Sequence, residues 1–200
     1  MSLPLVVAIT GATGVVYGVE TLRVLHSIGQ PAHLILSESA IRNIAIETEY
    51  SLEEVRGLAA EVYNNKNVGA AVASGSFRTQ GMIVTPCSIK TLSAIANSFN
   101  YNLVVRAADV TLKENRRLVL MVRETPFHKG HLDLMSRVAD MGGTILPPLP
   151  AFYLAPQSVM DIIHQSVGKA LDQFGIEHNL FERWTGEMPG KSGVGNIGSE

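Results

Sequence analysis

The sequence predicts an α/β fold of three layers, a parallel sheet flanked by helices. Leu5–Thr10, Gly81–Thr85 and Leu118–Val122 are continuous apolar runs of strand length, as expected of strands buried on both faces. Stretches with helical spacing separate them, and an alternating order of strands and helices calls for a parallel sheet. The first two runs end in turn and cap residues that open helices, and right-handed crossovers then place those helices on the sheet faces.

In chain order, Leu5–Thr10 ends in Gly11-Ala12-Thr13-Gly14, and a helix follows from Val15 to Ser27. The Gly29-Gln30-Pro31 turn leads to a short strand from Ala32 to Ser37 and a helix from Glu38 to Glu47. Ser51-Leu52-Glu53-Glu54 is a capping box, so a further helix starts there. Tyr63 to Gln80, with Asn64-Asn65 and Ser74-Gly75-Ser76, reads as irregular. Gly81–Thr85 is the next buried strand and Pro86 is expected to stop it. Ser88 caps a helix to Asn97, and Leu103 to Glu114 is helical. After the strand Leu118–Val122 come a helix from His131 to Met141 and a short strand, Thr144–Leu146. Ser158 caps the last long helix, whose stripe is Val159, Ile162, Ile163, Val167, Ala170, Leu171 and Phe174. Residues 1–184 read as one domain, and 185–200 as a Gly/Ser-rich, disordered tail.

Composition narrows the function classes. The chain has 200 residues, with 16 Lys and Arg against 18 Asp and Glu, a net charge of −2. That balance argues against a nucleic-acid binder, which carries a basic excess. The single cysteine, Cys87, excludes an intramolecular disulfide and a zinc site of several thiolates, and reads as a small core residue. No apolar run reaches the roughly 18 residues of a membrane span, and the first residues lack a cationic leader, so a cytoplasmic protein is expected. Charged residues are only 17% of the chain. So low a charge predicts a surface partly buried against other subunits.

Ligands in such folds bind beyond the carboxyl ends of the strands. Gly11-Ala12-Thr13-Gly14 offers tight approach and the amides of a helix N-terminus, where a phosphate would sit well. A dinucleotide would also suit the turn. The dehydrogenase version of that reading needs Tyr-x-x-x-Lys, and no tyrosine here has a lysine four residues on. Pro86-Cys87-Ser88-Ile89-Lys90-Thr91 repeats the device at a second strand end. With Ser37 it makes a lip of hydroxyls and backbone donors suited to a flavin mononucleotide. Arg123-Glu124 ends an apolar strand, so Glu124 is a candidate acid or base poised by its neighbour. Arg106, Lys113, Tyr153 and Lys169 are further polar candidates at strand ends or on helices beside them. The six histidines form no ligand set and Gly-x-Ser-x-Gly is absent, so neither a metal site nor a serine hydrolase is expected.

Several blocks stand in the order of a known family: Thr10-Gly11-Ala12-Thr13-Gly14, Ser74-Gly75-Ser76, Pro86 to Ser93, Arg106-Ala107-Ala108-Asp109-Val110 through Glu114, Arg123-Glu124-x-Pro126 and Pro150-Ala151-Phe152-Tyr153. From Leu5 to Trp184 the chain closely resembles the UbiX family of flavin prenyltransferases. The resemblance implies a Rossmann/flavodoxin-like fold and transfer of a dimethylallyl group from dimethylallyl monophosphate to N5 and C6 of reduced FMN, without a metal. It implies a homododecamer with active sites where subunits meet, and a UbiD-type decarboxylase as recipient of the prenylated flavin. By resemblance, Gly11, Ala12, Thr13, Ser37, Ser88, Ile89, Lys90, Thr91, Arg106 and Arg123 hold FMN. Lys113, Arg123, Tyr153 and Lys169 grip the substrate phosphate. Glu124 is the acid or base, Thr13 lies against N5, and Glu47 is a further polar group near the flavin.

The chain departs from the family pattern at two of these positions. Thr13 stands where serine is common, keeping the hydroxyl but stiffening χ1. Lys169 stands where arginine is common, keeping charge but losing a bidentate grip. The alternatives are an FMN-dependent cysteine decarboxylase on the same general fold and a non-catalytic subunit of an aromatic acid decarboxylase.

Overall fold

The computed structural model describes residues 2–184. Its centre is a six-stranded sheet of β1 (Leu5–Ile9), β2 (Ala32–Leu36), β3 (Glu61–Asn64), β4 (Gly81–Cys87), β5 (Arg117–Val122) and β6 (Thr144–Ile145), in the order β3-β2-β1-β4-β5-β6. Every pairing is parallel. The helices are α1 (Val15–Ser27), α2 (Glu38–Glu47), α3 (Leu52–Gly57), α4 (Ile89–Ala96), α5 (Leu103–Lys113), α6 (Lys129–Asp140) and α7 (Val159–Asp172).

Apolar side chains of β1, β4 and β5 supply two cores, one on each face of the sheet. Val7, Ile9, Ile83, Val119 and Met121 pack under α1 and α7, while Val6, Ala8, Met82, Val84, Leu118 and Leu120 pack under α4, α5 and α6. Burying each such side chain is worth roughly 1.5–3 kcal/mol, which is why the central strands need no polar alternation. One close approach fixes α1 on the sheet. A Cβ at Gly18 would lie 2.4 Å from the Thr85 carbonyl oxygen and 2.7 Å from Ile9 Cδ1, so only glycine lets the helix sit so low.

The structure departs from the sequence reading at four places. Glu61–Asn64 is an edge strand, not irregular chain; its half-exposed residues carry no apolar run to announce it. Pro86 does not stop β4, which continues to Cys87 across a register irregularity between Val84 and Cys87. α6 starts at Lys129, two residues early, because the His128 side chain caps it by accepting the Gly130 amide at 3.0 Å. Val159 lies outside the buried stripe of α7, 72% exposed. The expected disordered tail lies outside the described residues.

The strand order reverses between β1 and β4. β1 leads through α1 to β2 on one side, whereas β4 lies on the other. The crevice at this switch point is where doubly wound sheets take ligands.

Candidate functional site

At the carboxyl edge of the sheet a cleft of about 960 Å³ is lined by Thr10, Gly11, Ser37, Ser88, Lys90 and Thr91, with Tyr63–Lys66 and Tyr101 on its far side. Its character follows from what each helix does with its N-terminal amides, which have no partners inside the helix.

Two amides at the start of α1, which the sequence reading left open to an anion, are already taken. Gly14, in the left-handed region at φ 91°, offers no capping side chain. The Glu47 carboxylate takes that place: Oε2 accepts the Gly14 amide at 2.7 Å and the Val15 amide at 3.1 Å. A negative charge at a helix N-terminus is favoured by the helix dipole. Ser39, Asn43 and Glu47 are spaced four residues apart, so they share one face of α2. Asn43 Nδ2 donates to the Ala12 carbonyl at 3.2 Å, and a Cβ at Gly11 would meet Ser39 Cβ at 2.4 Å. Gly11 is therefore demanded by Ser39 of α2, and the Gly11–Gly14 turn is moulded on that face.

The start of α5 is also satisfied. Leu103 and Val104 donate to the Asn65 carbonyl and to its Oδ1 at 2.8 and 3.1 Å, and Val105 donates to Asn102 Oδ1 at 3.0 Å. Two further helix ends line the cleft. Ser37 Oγ accepts the Ala40 amide at 3.1 Å, and Ser88 Oγ accepts the Thr91 amide at 3.4 Å and donates to Thr91 Oγ1 at 3.1 Å. The amides of Glu38 and Ser39, and of Ile89 and Lys90, have no hydrogen-bond partner among the described residues. Two hydroxyl-capped helix ends thus flank β1, and an anion belongs between them. Lys90 adds charge beside them, its Nζ 5.2 Å from the Tyr101 ring centroid.

Arg123 and Glu124 follow β5 at the same edge. The Arg123 amide donates to the Cys87 carbonyl at 3.0 Å. Its guanidinium is close enough to Tyr17 to oppose the rise that burial imposes on that phenol. Glu124 is half-buried, and its Oε1 accepts the Thr125 amide at 2.9 Å. Thr13 is exposed in the first turn. Arg106, in the first turn of α5, pairs with Asp109 at 3.0 Å. Tyr153 packs edge-on against Trp184, their ring centroids 5.8 Å apart. Cys87 is fully buried, and burial pushes its thiol far up, which fits a core residue.

The expected phosphate grip is not assembled within one chain. α5 runs antiparallel to the strands, so Lys113 at its last position stands at the amino edge of the sheet, ahead of the start of β5. There it pairs with Glu114 beside Gly75. Lys169 is exposed near the end of α7, about 15 Å along the axis from the helix start. No hydrogen bond joins Lys113, Arg123, Tyr153 and Lys169 among the described residues. Sequence reasoning also missed Asn43 and gave Thr10 no role, although the four-residue spacing of Ser39, Asn43 and Glu47 was readable.

The cleft has the volume, the hydroxyls, the open amides and the flanking cations that a flavin mononucleotide requires. Among the described residues no three His, Cys, Asp or Glu side chains cluster as a metal site would need. A parallel sheet with two hydroxyl-capped helix ends at its switch point defines a mononucleotide-binding α/β protein. The family model described as Flavoprotein matches residues 2–170. The chain is 57% identical over 182 residues to the flavin prenyltransferase UbiX of Thauera aromatica, covering 91% of this chain and 94% of that one. It is 50% identical over 185 residues to the flavin prenyltransferase UbiX of Escherichia coli K12, covering 91% and 98%. It superposes with a TM-score of 0.92 and 48% identity on the crystal structure of AnUbiX (PadA1) in complex with FMN and dimethylallyl pyrophosphate, over 94% of this chain and all (100%) of that one. On the dodecameric FMN-dependent UbiX-like decarboxylase of Escherichia coli O157:H7 the TM-score is 0.90 at 46% identity, covering 92% and 100%. The peptidyl-cysteine decarboxylase EpiD, at 12% identity and a TM-score of 0.63, shares the fold alone. The chain belongs to the UbiX flavin prenyltransferase family of flavoproteins.

Proposed function

We propose that the protein is a flavin prenyltransferase that joins the dimethylallyl group of a dimethylallyl phosphate to reduced FMN. The observation that carries this reading is the pair of hydroxyl-capped helix ends at the switch point, in a chain 57% identical to a flavin prenyltransferase. Ser37, Ser88, Thr91 and the open amides of α2 and α4 hold the flavin's phosphate and polar groups. Gly11, Ala12, Thr13, Ile89, Lys90, Arg106 and Arg123 complete the flavin site. When bound, the reduced flavin supplies the nucleophile.

The chain's own residues serve the leaving group. Breaking an allyl phosphate bond develops anionic phosphate, which cations and a phenol stabilise. Arg123 and Tyr153 supply these from the carboxyl edge. Lys113, at the opposite edge, reaches such a pocket only from a neighbouring copy, and Lys169 is assigned to the same grip. Glu124 moves the proton, and the Thr13 hydroxyl orients the reacting carbon. Shared pockets fit a homo-oligomer, as in the dodecameric relative, and a cytoplasmic location is proposed. A UbiD-type decarboxylase is proposed as recipient of the product.

The test is anaerobic incubation with dithionite-reduced FMN and dimethylallyl monophosphate, with dimethylallyl diphosphate in parallel. A flavin heavier by one dimethylallyl group, seen by mass spectrometry, is the expected result. An unchanged flavin mass with both donors would overturn the reading.

A further inference from the structure

We propose that Thr10 is a positioning residue for the flavin cleft, its buried hydroxyl locking the Gly11–Gly14 turn to the N-terminus of α4. The inference rests on the flavin reading above. It starts from a defect in the sheet. The β1–β4 ladder runs from Leu5 opposite Gly81 to Ala8 opposite Val84. Two residues further, Thr10 lies beside Pro86, which has no N–H to continue the ladder.

The Thr10 side chain bridges the gap. The residue is 2% exposed. Its amide donates to the Pro86 carbonyl at 3.3 Å, and Oγ1 donates to the same carbonyl at 2.8 Å. Oγ1 also accepts the Ser88 amide at 2.9 Å. Ser88 caps α4 and bonds Thr91 through its own hydroxyl. One line of contacts therefore runs from the end of β1 through Ser88 to Thr91 in the first turn of α4. Among the described residues no other side-chain hydrogen bond joins the two turns, and both line the cleft. Without the Thr10 hydroxyl the Ser88 amide loses its partner, and the distance between the two halves of the cleft is no longer set.

Thr10→Val keeps the shape and removes both hydrogen bonds, whereas Thr10→Ser keeps the hydroxyl. FMN titration by flavin fluorescence, at a temperature where all proteins are folded, should give a Kd raised about 10–100-fold for Thr10→Val. Thr10→Ser should bind within a factor of about three of the unaltered protein, an affinity difference under about 0.7 kcal/mol. Amide exchange of residues 86–91 in flavin-free protein should accelerate in the valine variant and not in the serine variant. A role confined to general stability would lower the melting temperature without moving Kd. An unchanged Kd in Thr10→Val, or a Thr10→Ser as weak as Thr10→Val, overturns the proposal. If Thr10→Val does not accumulate folded, Thr10→Ala is compared with Thr10→Ser in the same titration, and equal affinities overturn it. Failure of the unaltered protein to bind FMN would instead sink the flavin reading, and the exchange comparison would still decide the role of Thr10.

Discussion

The Glu47 carboxylate at the end of α2 accepts both the Gly14 and the Val15 amide, at 2.7 and 3.1 Å, and does the work of the capping side chain that Gly14 lacks. Loss of an N-cap costs on the order of 1 kcal/mol. Glu47→Ala should therefore lower the unfolding free energy by about that much in urea. Glu47→Gln, which keeps an accepting oxygen but not the charge, should lose less. Equal stability of Glu47→Ala and the unaltered protein would show that the cap is idle.

Glu124 stands beside Arg123, and its Oε1 accepts the Thr125 amide outside the flavin cleft. Glu124→Gln should leave FMN bound while slowing prenyl transfer by a factor on the order of 10²–10⁴. Single-turnover measurement of the flavin product checks this, and unaltered turnover would remove Glu124 from the proton transfer.

If Lys113 serves a neighbour's pocket, inactive subunits should complement one another. Lys113→Ala and Glu124→Gln proteins, each impaired alone, should regain activity when dissociated, mixed and reassembled, because some pockets then combine the intact residues of each. Absence of any recovery in confirmed mixed oligomers would place Lys113 elsewhere.

His33 accepts or donates a hydrogen bond at 2.9 Å to the Tyr63 hydroxyl, and burial lowers its pKa from the ordinary 6.5, against the opposing pull of Glu61. The folded state thus resists protonation that the unfolded chain accepts. The stability associated with neutral His33 is full above pH 6.5 and declines as pH falls from there toward the depressed folded value. Urea unfolding between about pH 8 and 5 should show a smaller loss for His33→Gln than for the unaltered protein. Identical pH profiles would contradict it.

Gly18 lies under the Thr85 carbonyl with no room for a methyl group, at 2.4 Å from the position its Cβ would take. Gly18→Ala should cost about 1–3 kcal/mol by overpacking. Thermal unfolding checks this.

Much of the frame was legible because it is written in strong local signals. The apolar runs of β1, β4 and β5 and the capping serines Ser51, Ser88 and Ser158 carry their meaning alone. β3 was not legible: a four-residue edge strand, exposed at both ends, has neither a run nor a clean alternation. The cap of α6 is a histidine, outside the usual capping set. At the site, Ser37, Ser88 and Thr91 could be read from their places after strands. The filling of the α1 amides could not, because Glu47 is 33 positions from Gly14 in the chain. The place of Lys113 at the amino edge follows from the direction of α5, which a motif read as a string of letters does not convey.

The alignment of Ser39, Asn43 and Glu47 makes α2 a ruler for the turn it touches. A single residue inserted between Ser39 and Glu47 would swing Glu47 about 100° round the helix axis and carry it about 1.5 Å along. Its carboxylate would then face away from Gly14, even though α2 itself would remain a sound helix. The length of this helix is thus dictated by a loop that it neither precedes nor follows directly, and insertions that its own surface would tolerate are forbidden by the shape of its neighbour.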